Sequence, residues 1–174
     1  MAQLRTQHDP ATGCLNWLGT SDHKGPRFSS DGRWVRARPV VVLDWHARAA
    51  GSPCPIKMRL RPLCQGILGL PSPSLCVSPF HAVPTYVRGT ARRLGLEPDR
   101  IYGLAAAMKA IGLGRPGYTI TWDASRMQDV VIDSVEMLRF AADHECSYWH
   151  AWLAWSYLLR NSAGKLARET ESSA

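Results

Sequence analysis

No run of eighteen or more apolar residues occurs anywhere in the chain, which excludes a conventional membrane-spanning helix. The opening segment MAQLRTQHDP has no apolar stretch that would serve as a secretory signal, so a soluble, cytoplasmic protein with no membrane partner is expected. Acidic residues are scarce in one half only. Residues 1–90 hold four Asp or Glu against eleven Lys or Arg, whereas residues 91–174 hold ten of each, so the whole net charge of +7 sits in the first half. A local positive field of this kind suits a polyanion, with nucleic acid the commonest case, and an acidic protein surface or a merely solvated basic face as the alternatives. The cysteine count is five, an odd number in a chain without an export signal, which argues against a disulfide framework and for metal ligation or plain burial.

What is present reads as a globular α+β protein of 174 residues, with 45% hydrophobic and 20% charged residues. In the first part, Asp31-Gly32 between two strand-like runs is a hairpin signal, and SDHKG reads as another turn carrying His23. PVVVLDWHARAAG, with proline at its start and Gly51 at its stop, reads as a short helix on whose surface His46 is expected. Residues 52–84 hold seven of the twelve prolines and read mostly as loop, which needs something besides regular hydrogen bonding to fix it. The second part is helical: TARRLGLEPDRIYGLAAAMKAIGL gives a short helix, a break around Gly95 and a longer helix. GRPGYTITWD gives a turn and strand. Asp123 is placed to cap a helix with Met127, Val130, Val131, Ser134, Leu138 and Ala141 on one face. Ser147 caps YWHAWLAWSYLLRN, where Trp149, Trp152 and Trp155 form a stripe expected to be core rather than a stacking platform. The expected division is residues 1–86 and 87–166, with 167–174 a flexible tail.

Cys64 and Cys76 flank eleven residues, His81 follows Cys76 after four more, and Cys14 is the best candidate for a fourth donor. Three thiolates and an imidazole make a closed tetrahedral zinc site that would stabilise the proline-rich loop. By spacing alone, a set of buried thiols near a histidine accounts for the pattern equally well. Cys54 and Cys146 read as small buried hydrophobes rather than nucleophiles.

The order GCLNWLG, GPRF, GRWVRARPVVVLDW, RPLC and LCVSPFHAVP resembles the zinc-containing HNH nucleases of the His-Me finger superfamily, found in bacteriophages and mobile elements. The resemblance covers roughly residues 12–90. It implies a small zinc-stabilised ββα-type module followed by a helical domain, a phage or mobile-element origin in a host bacterial cytosol, and Cys14, Cys64, Cys76 and His81 as structural Zn²⁺ ligands. It also implies where catalysis would sit. The general-base histidine of the family corresponds to Pro62, which cannot accept a proton; the family's other polar positions correspond to Ser78, Arg38 and Thr90. His23 and His46 are the remaining candidates for a substitute base, and Asp22 and Asp44 are scattered carboxylates that would have to serve any catalytic Mg²⁺.

TARRLGLEPDRIYGLAAAM is similar to a helix-turn-helix, with GRPGYTITWD as a small wing. On that reading Arg92, Arg93, Arg100 and Lys109 touch phosphate, and Arg100 or Tyr102 approaches base edges. The leading expectation is a DNA-binding protein on a catalytically inactive HNH scaffold, contacting DNA through Lys24, Arg27, Arg33, Arg36, Arg38, Lys57, Arg59 and Arg61. The alternatives are an active metal-dependent endonuclease with a substituted base, and a non-catalytic adaptor that binds a host or phage protein through its helical domain.

Overall fold

The computed structural model describes residues 6–9, 14–63, 75–79, 81–113 and 127–171. Within them the chain is mixed α and β, with three small antiparallel sheets and five helices. Strands β1 (Thr6–His8) and β2 (Leu15–Trp17) pair with each other. Strands β3 (Ser21–Asp22), β4 (Gly25–Ser30) and β5 (Arg33–Arg36) form a three-stranded meander. Its second turn is the expected Asp31-Gly32 pair. Both residues have positive φ, 50° and 72°, the conformation that matches hairpin twist.

Helix α1 (Ala37–Ala50) follows β5 at once. Pro39 is tolerated in its first turn because no intrahelical donor is needed there, and Gly51 ends it in the left-handed conformation with its N–H facing the Ala47 and Arg48 carbonyls. The proline-rich segment contributes β6 (Leu60–Pro62) and β7 (Ala82–Pro84), paired in register as Leu60 with Pro84, Arg61 with Val83 and Pro62 with Ala82. Then come α2 (Val87–Arg93), α3 (Pro98–Ala110), α4 (Met127–Asp143) and α5 (Tyr148–Glu171).

The α2–α3 pair matches the expected short helix, break and longer helix, with Gly95 at φ 72° in the break. The Ser147 cap is present: its Oγ accepts from the His150 N–H at 3.2 Å. The final helix runs to Glu171, further than the expected end near Asn161 and into the stretch expected to be a flexible tail. On α4 the core-facing residues are Met137, Phe140 and Ala141, while Leu138 is 40% exposed, so the expected stripe is rotated there. Asp123, the expected strand and wing at 114–123, and Cys64 lie outside the described residues.

The largest hydrophobic cluster draws on both halves of the chain. Val42 of α1 and Met58, Leu60, Leu63, Ala82 and Val83 around β6 and β7 join Ile101, Met108, Phe140, Trp149, Trp152 and Leu159 of the helices. Trp149, Trp152 and Trp155 are buried in it, so the tryptophan stripe is core and offers no stacking surface. No helix among the described residues is long and apolar enough to cross a membrane.

Candidate metal centre and nucleic-acid interface

Cys14 stands immediately before β2, and the chain entering that strand is bridged to the segment that carries Cys76. Asn16 pairs antiparallel with Cys76, and the Val77 N–H donates to the Leu15 carbonyl at 2.8 Å. His81 stands at the start of β7, and a turn bond from its N–H to the Ser78 carbonyl at 3.2 Å brings it back towards Cys76. Three donors from positions 14, 76 and 81 therefore converge, their ligand atoms all within 4.8 Å of one another and all three residues buried. Sγ of Cys14 lies 3.5 Å and Sγ of Cys76 lies 3.6 Å from Nδ1 of His81. Burial works against a charged imidazole, but the hydrogen bonds and charges of Cys14 and Cys76 outweigh it and hold the His81 pKa up at about 9. The three residues together can hold a metal ion.

The neighbours of this cluster correct two expectations. Arg38, placed among the DNA contacts, is buried and donates from Nε to the Cys76 carbonyl at 2.8 Å. The first turn of α1 carries it inward, so it anchors the backbone of a candidate metal ligand instead of meeting a phosphate. His46 is likewise buried, not on a helix surface. Its Nδ1 lies 2.8 Å from the Tyr148 hydroxyl and its Nε2 3.3 Å from the Pro79 carbonyl. It therefore ties α1 to α5 and to the segment between Cys76 and His81, and burial drives its pKa down to about 3.

Pro62 lies opposite Ala82 in the β6–β7 ladder, next to His81, and Leu63 donates to the His81 carbonyl at 2.7 Å. Ser78 and Thr90 are buried. His23 is exposed in the β3–β4 turn. Asp22 is committed to arginine: Arg36 grips it at 2.6 and 3.1 Å, with Arg27 at 3.5 Å, and the Arg36 bonds hold its carboxyl down at about 2. Asp44 pairs with Arg48 on the surface of α1. Cys54 and Cys146 are half-buried, and burial pushes both thiols up, away from nucleophilic character.

The remaining cations separate into groups. Lys24 and Arg33 are exposed on the β3–β5 meander, where Arg27 also stacks 4.4 Å from the centroid of the exposed Trp34 ring. Arg36 is largely neutralised by Asp22. Arg100 donates to the carbonyls of His144 and Glu145 at 3.3 Å, which caps the end of α4, and Arg92 and Lys109 are exposed. Lys57, Arg59 and Arg93 meet: they line one open groove of about 570 Å³ with Tyr86 and Gly89, and no Asp or Glu is among its lining residues. Arg61 lines an adjoining groove of about 830 Å³, together with Arg88 and Arg160. Neither Arg88 nor Arg160 stands out in the sequence. Arg160 reaches the Thr85 carbonyl, 75 residues away, at 3.3 Å, a neighbourhood that no local pattern encodes.

Comparison of the chain with protein-family models, with curated proteins and with solved structures returns no match.

Proposed function

We propose that the chain is a DNA-binding protein on a zinc-stabilised, non-cleaving scaffold of the HNH type. The observation that carries the reading is the convergence of Lys57 and Arg59, before β6, with Arg93, at the end of α2, on a groove that no carboxylate lines among the described residues. Such a groove attracts a phosphodiester backbone, and each neutralised phosphate adds to the salt dependence of binding.

Zinc is the ion that the donor set favours. Zn–S bonds of about 2.3 Å and a Zn–N bond of about 2.0–2.1 Å at the tetrahedral angle set sulfur and nitrogen about 3.5–3.6 Å apart. The Cys14–His81 and Cys76–His81 separations of 3.5 and 3.6 Å match that span. Two thiols and an imidazole exclude the oxygen-loving cations on chemical grounds. Cys64 is the fourth ligand in this reading, and Leu63, the residue before it, is already bonded to the His81 backbone. A site closed by four protein donors leaves no position for a reacting water, so the zinc serves the fold.

Non-cleavage rests on Pro62 at the family's base position and on the burial of His46, and His23, exposed in the β3–β4 turn, is the base that a metal-dependent nick would implicate. Pro62 has no proton acceptor on its side chain. His46 has both nitrogens engaged and is 2% exposed, so it cannot reach a water poised on a bound phosphate.

The test is fluorescence anisotropy with labelled duplex DNA across a salt series, beside a plasmid-nicking assay with Mg²⁺ or Mn²⁺. Binding should weaken steeply with salt, and the combined Lys57→Ala, Arg59→Ala and Arg93→Ala replacement should flatten the slope by roughly 0.9 per lost phosphate contact. Absence of duplex binding at low salt, an unchanged slope in the triple variant, or a metal-dependent nick would each overturn the proposal.

A further inference from the structure

The groove beside the one just described has walls of a different chemistry. Three arginines, Arg61, Arg88 and Arg160, and three tyrosines, Tyr86, Tyr102 and Tyr157, line about 830 Å³ of open space. No Asp or Glu is among its lining residues; Asp99 acts on Arg88 only from outside the lining. Tyr86 is 67% exposed and stands just before α2, where it lines both grooves. Tyr102 and Tyr157 pack with ring centroids 5.0 Å apart, and the Arg88 guanidinium lies 5.6 Å from the Tyr102 ring centroid while its Nε donates to the Tyr102 hydroxyl. These two rings and Arg88 make a fixed wall.

Arg61 has an unsatisfied donor at the groove. Its Nε is buried and has no hydrogen-bond partner among the described residues. Burial and the nearby charge of Arg160 both disfavour its protonated form, and both arginines line one groove whose lining, among the described residues, holds no carboxylate. An arrangement that costs stability in this way is relieved when an anion enters.

We propose that this groove binds an unpaired nucleotide of a nucleic-acid strand, with the phosphate between Arg61 and Arg160 and the base stacked on Tyr86. The inference rests on the reading of the chain as a nucleic-acid binder and adds that the strand is single at this point. In a duplex the base faces are covered by their neighbours, so an exposed tyrosine in a concave groove meets them only when a base is unstacked; every base has such a face, and the interaction is tolerant of sequence. The shared position of Tyr86 makes the two grooves one track. A strand whose backbone follows Lys57, Arg59 and Arg93 continues past Tyr86 to Arg61 and Arg160.

Gly89 supplies a test that spares the core. It lines both grooves, and a Cβ built on it meets only the Tyr86 Cβ at 3.9 Å, so Gly89→Glu puts bulk and negative charge into the track from an exposed position of a helix. The probes are fluorescein-labelled oligothymidylate and oligouridylate, the oligothymidylate–oligoadenylate duplex, and inorganic polyphosphate as competitor, all titrated into the full chain. The wild type should bind a single strand more tightly than the duplex, with the deoxy and ribo probes telling which sugar is preferred. Tyr86→Ala and Gly89→Glu should each weaken single-strand binding by about tenfold. Tyr86→Trp should retain it, and polyphosphate should compete poorly. Unchanged single-strand affinity in both Tyr86→Ala and Gly89→Glu would overturn the inference. So would polyphosphate competing as well as the oligonucleotide, which marks a site for any polyanion. Single-strand binding that depends on Lys57, Arg59 and Arg93 but ignores Tyr86 and Gly89 would sink this inference alone, whereas absence of both duplex and single-strand binding in the wild type would sink the proposed function with it.

Discussion

Lowering the pH from about 7 to about 5 should cost the fold about 2 kcal/mol through His46 alone. The Pro79 carbonyl can only accept, so Nε2 of His46 carries the proton and Nδ1 accepts from the Tyr148 hydroxyl. The neutral imidazole satisfies both contacts. A charged one would be desolvated among Trp45, Trp149 and Trp152, whose ring centroids lie 4.9, 6.4 and 4.6 Å away. Burial therefore depresses the folded pKa from 6.5 to about 3, while the unfolded chain takes up the proton at the ordinary value. The unfolded state binds more protons between these two values, so the contribution is fully present above about pH 6.5 and is lost as the pH falls towards 3. Integration over the whole window gives on the order of 5 kcal/mol, and the part that lies between about pH 7 and 5 gives the figure above. The assay is urea unfolding at the two pH values for the wild type and for His46→Gln, which cannot titrate here. Groups that titrate in both proteins, the candidate metal ligands included, cancel in the comparison. The wild type should lose about 2 kcal/mol more than the variant on acidification. Equal losses would show that His46 is not held neutral by burial, whatever the variant costs at neutral pH.

Elemental analysis of the purified protein should find one zinc per chain. Cys14→Ser and Cys76→Ser should each lose it with a fall in stability, and retention of zinc by either variant would remove that residue from the site. Arg38→Gln should destabilise by about 1–3 kcal/mol, because the Cys76 carbonyl loses a buried donor, yet leave the salt slope of DNA binding unchanged. A flatter slope would return Arg38 to the phosphate contacts. Trp152→Ala, at a fully buried position of α5 packed against His46 of α1, should cost about 3–5 kcal/mol in chemical denaturation, and a cost near zero would contradict its place in the core.

Much of the local structure was legible because its signals are local. Asp31-Gly32 specifies a hairpin since both residues reach positive φ cheaply, and Gly51 stops α1 for the same reason. The tryptophan spacing of α5 marks a helix face too apolar to leave in water. The Cys64, Cys76 and His81 spacing suggests a metal, and Cys14 was the best remaining candidate donor, which the resemblance strengthened, but nothing local showed that it would meet the others. What brings it there is the bridge between Asn16 and Cys76, a contact across 60 residues.

Burial and convergence belonged to the tertiary structure. Nothing in LDWHARAA distinguishes a surface histidine from one sealed by Tyr148 and Trp152, because the sealing residues lie about a hundred positions away in α5. Arg38 reads as one more cation in a basic run, and only the turn from β5 into α1 aims it at the Cys76 carbonyl. The two grooves are the same lesson on a larger scale. Composition showed a basic first half, but Arg93 and Arg160 come from the neutral second half to complete the grooves that Arg59 and Arg61 also line. Periodicity and capping act over a few residues and so can be read along the chain, whereas a binding surface depends on which distant segments the hydrophobic core draws together.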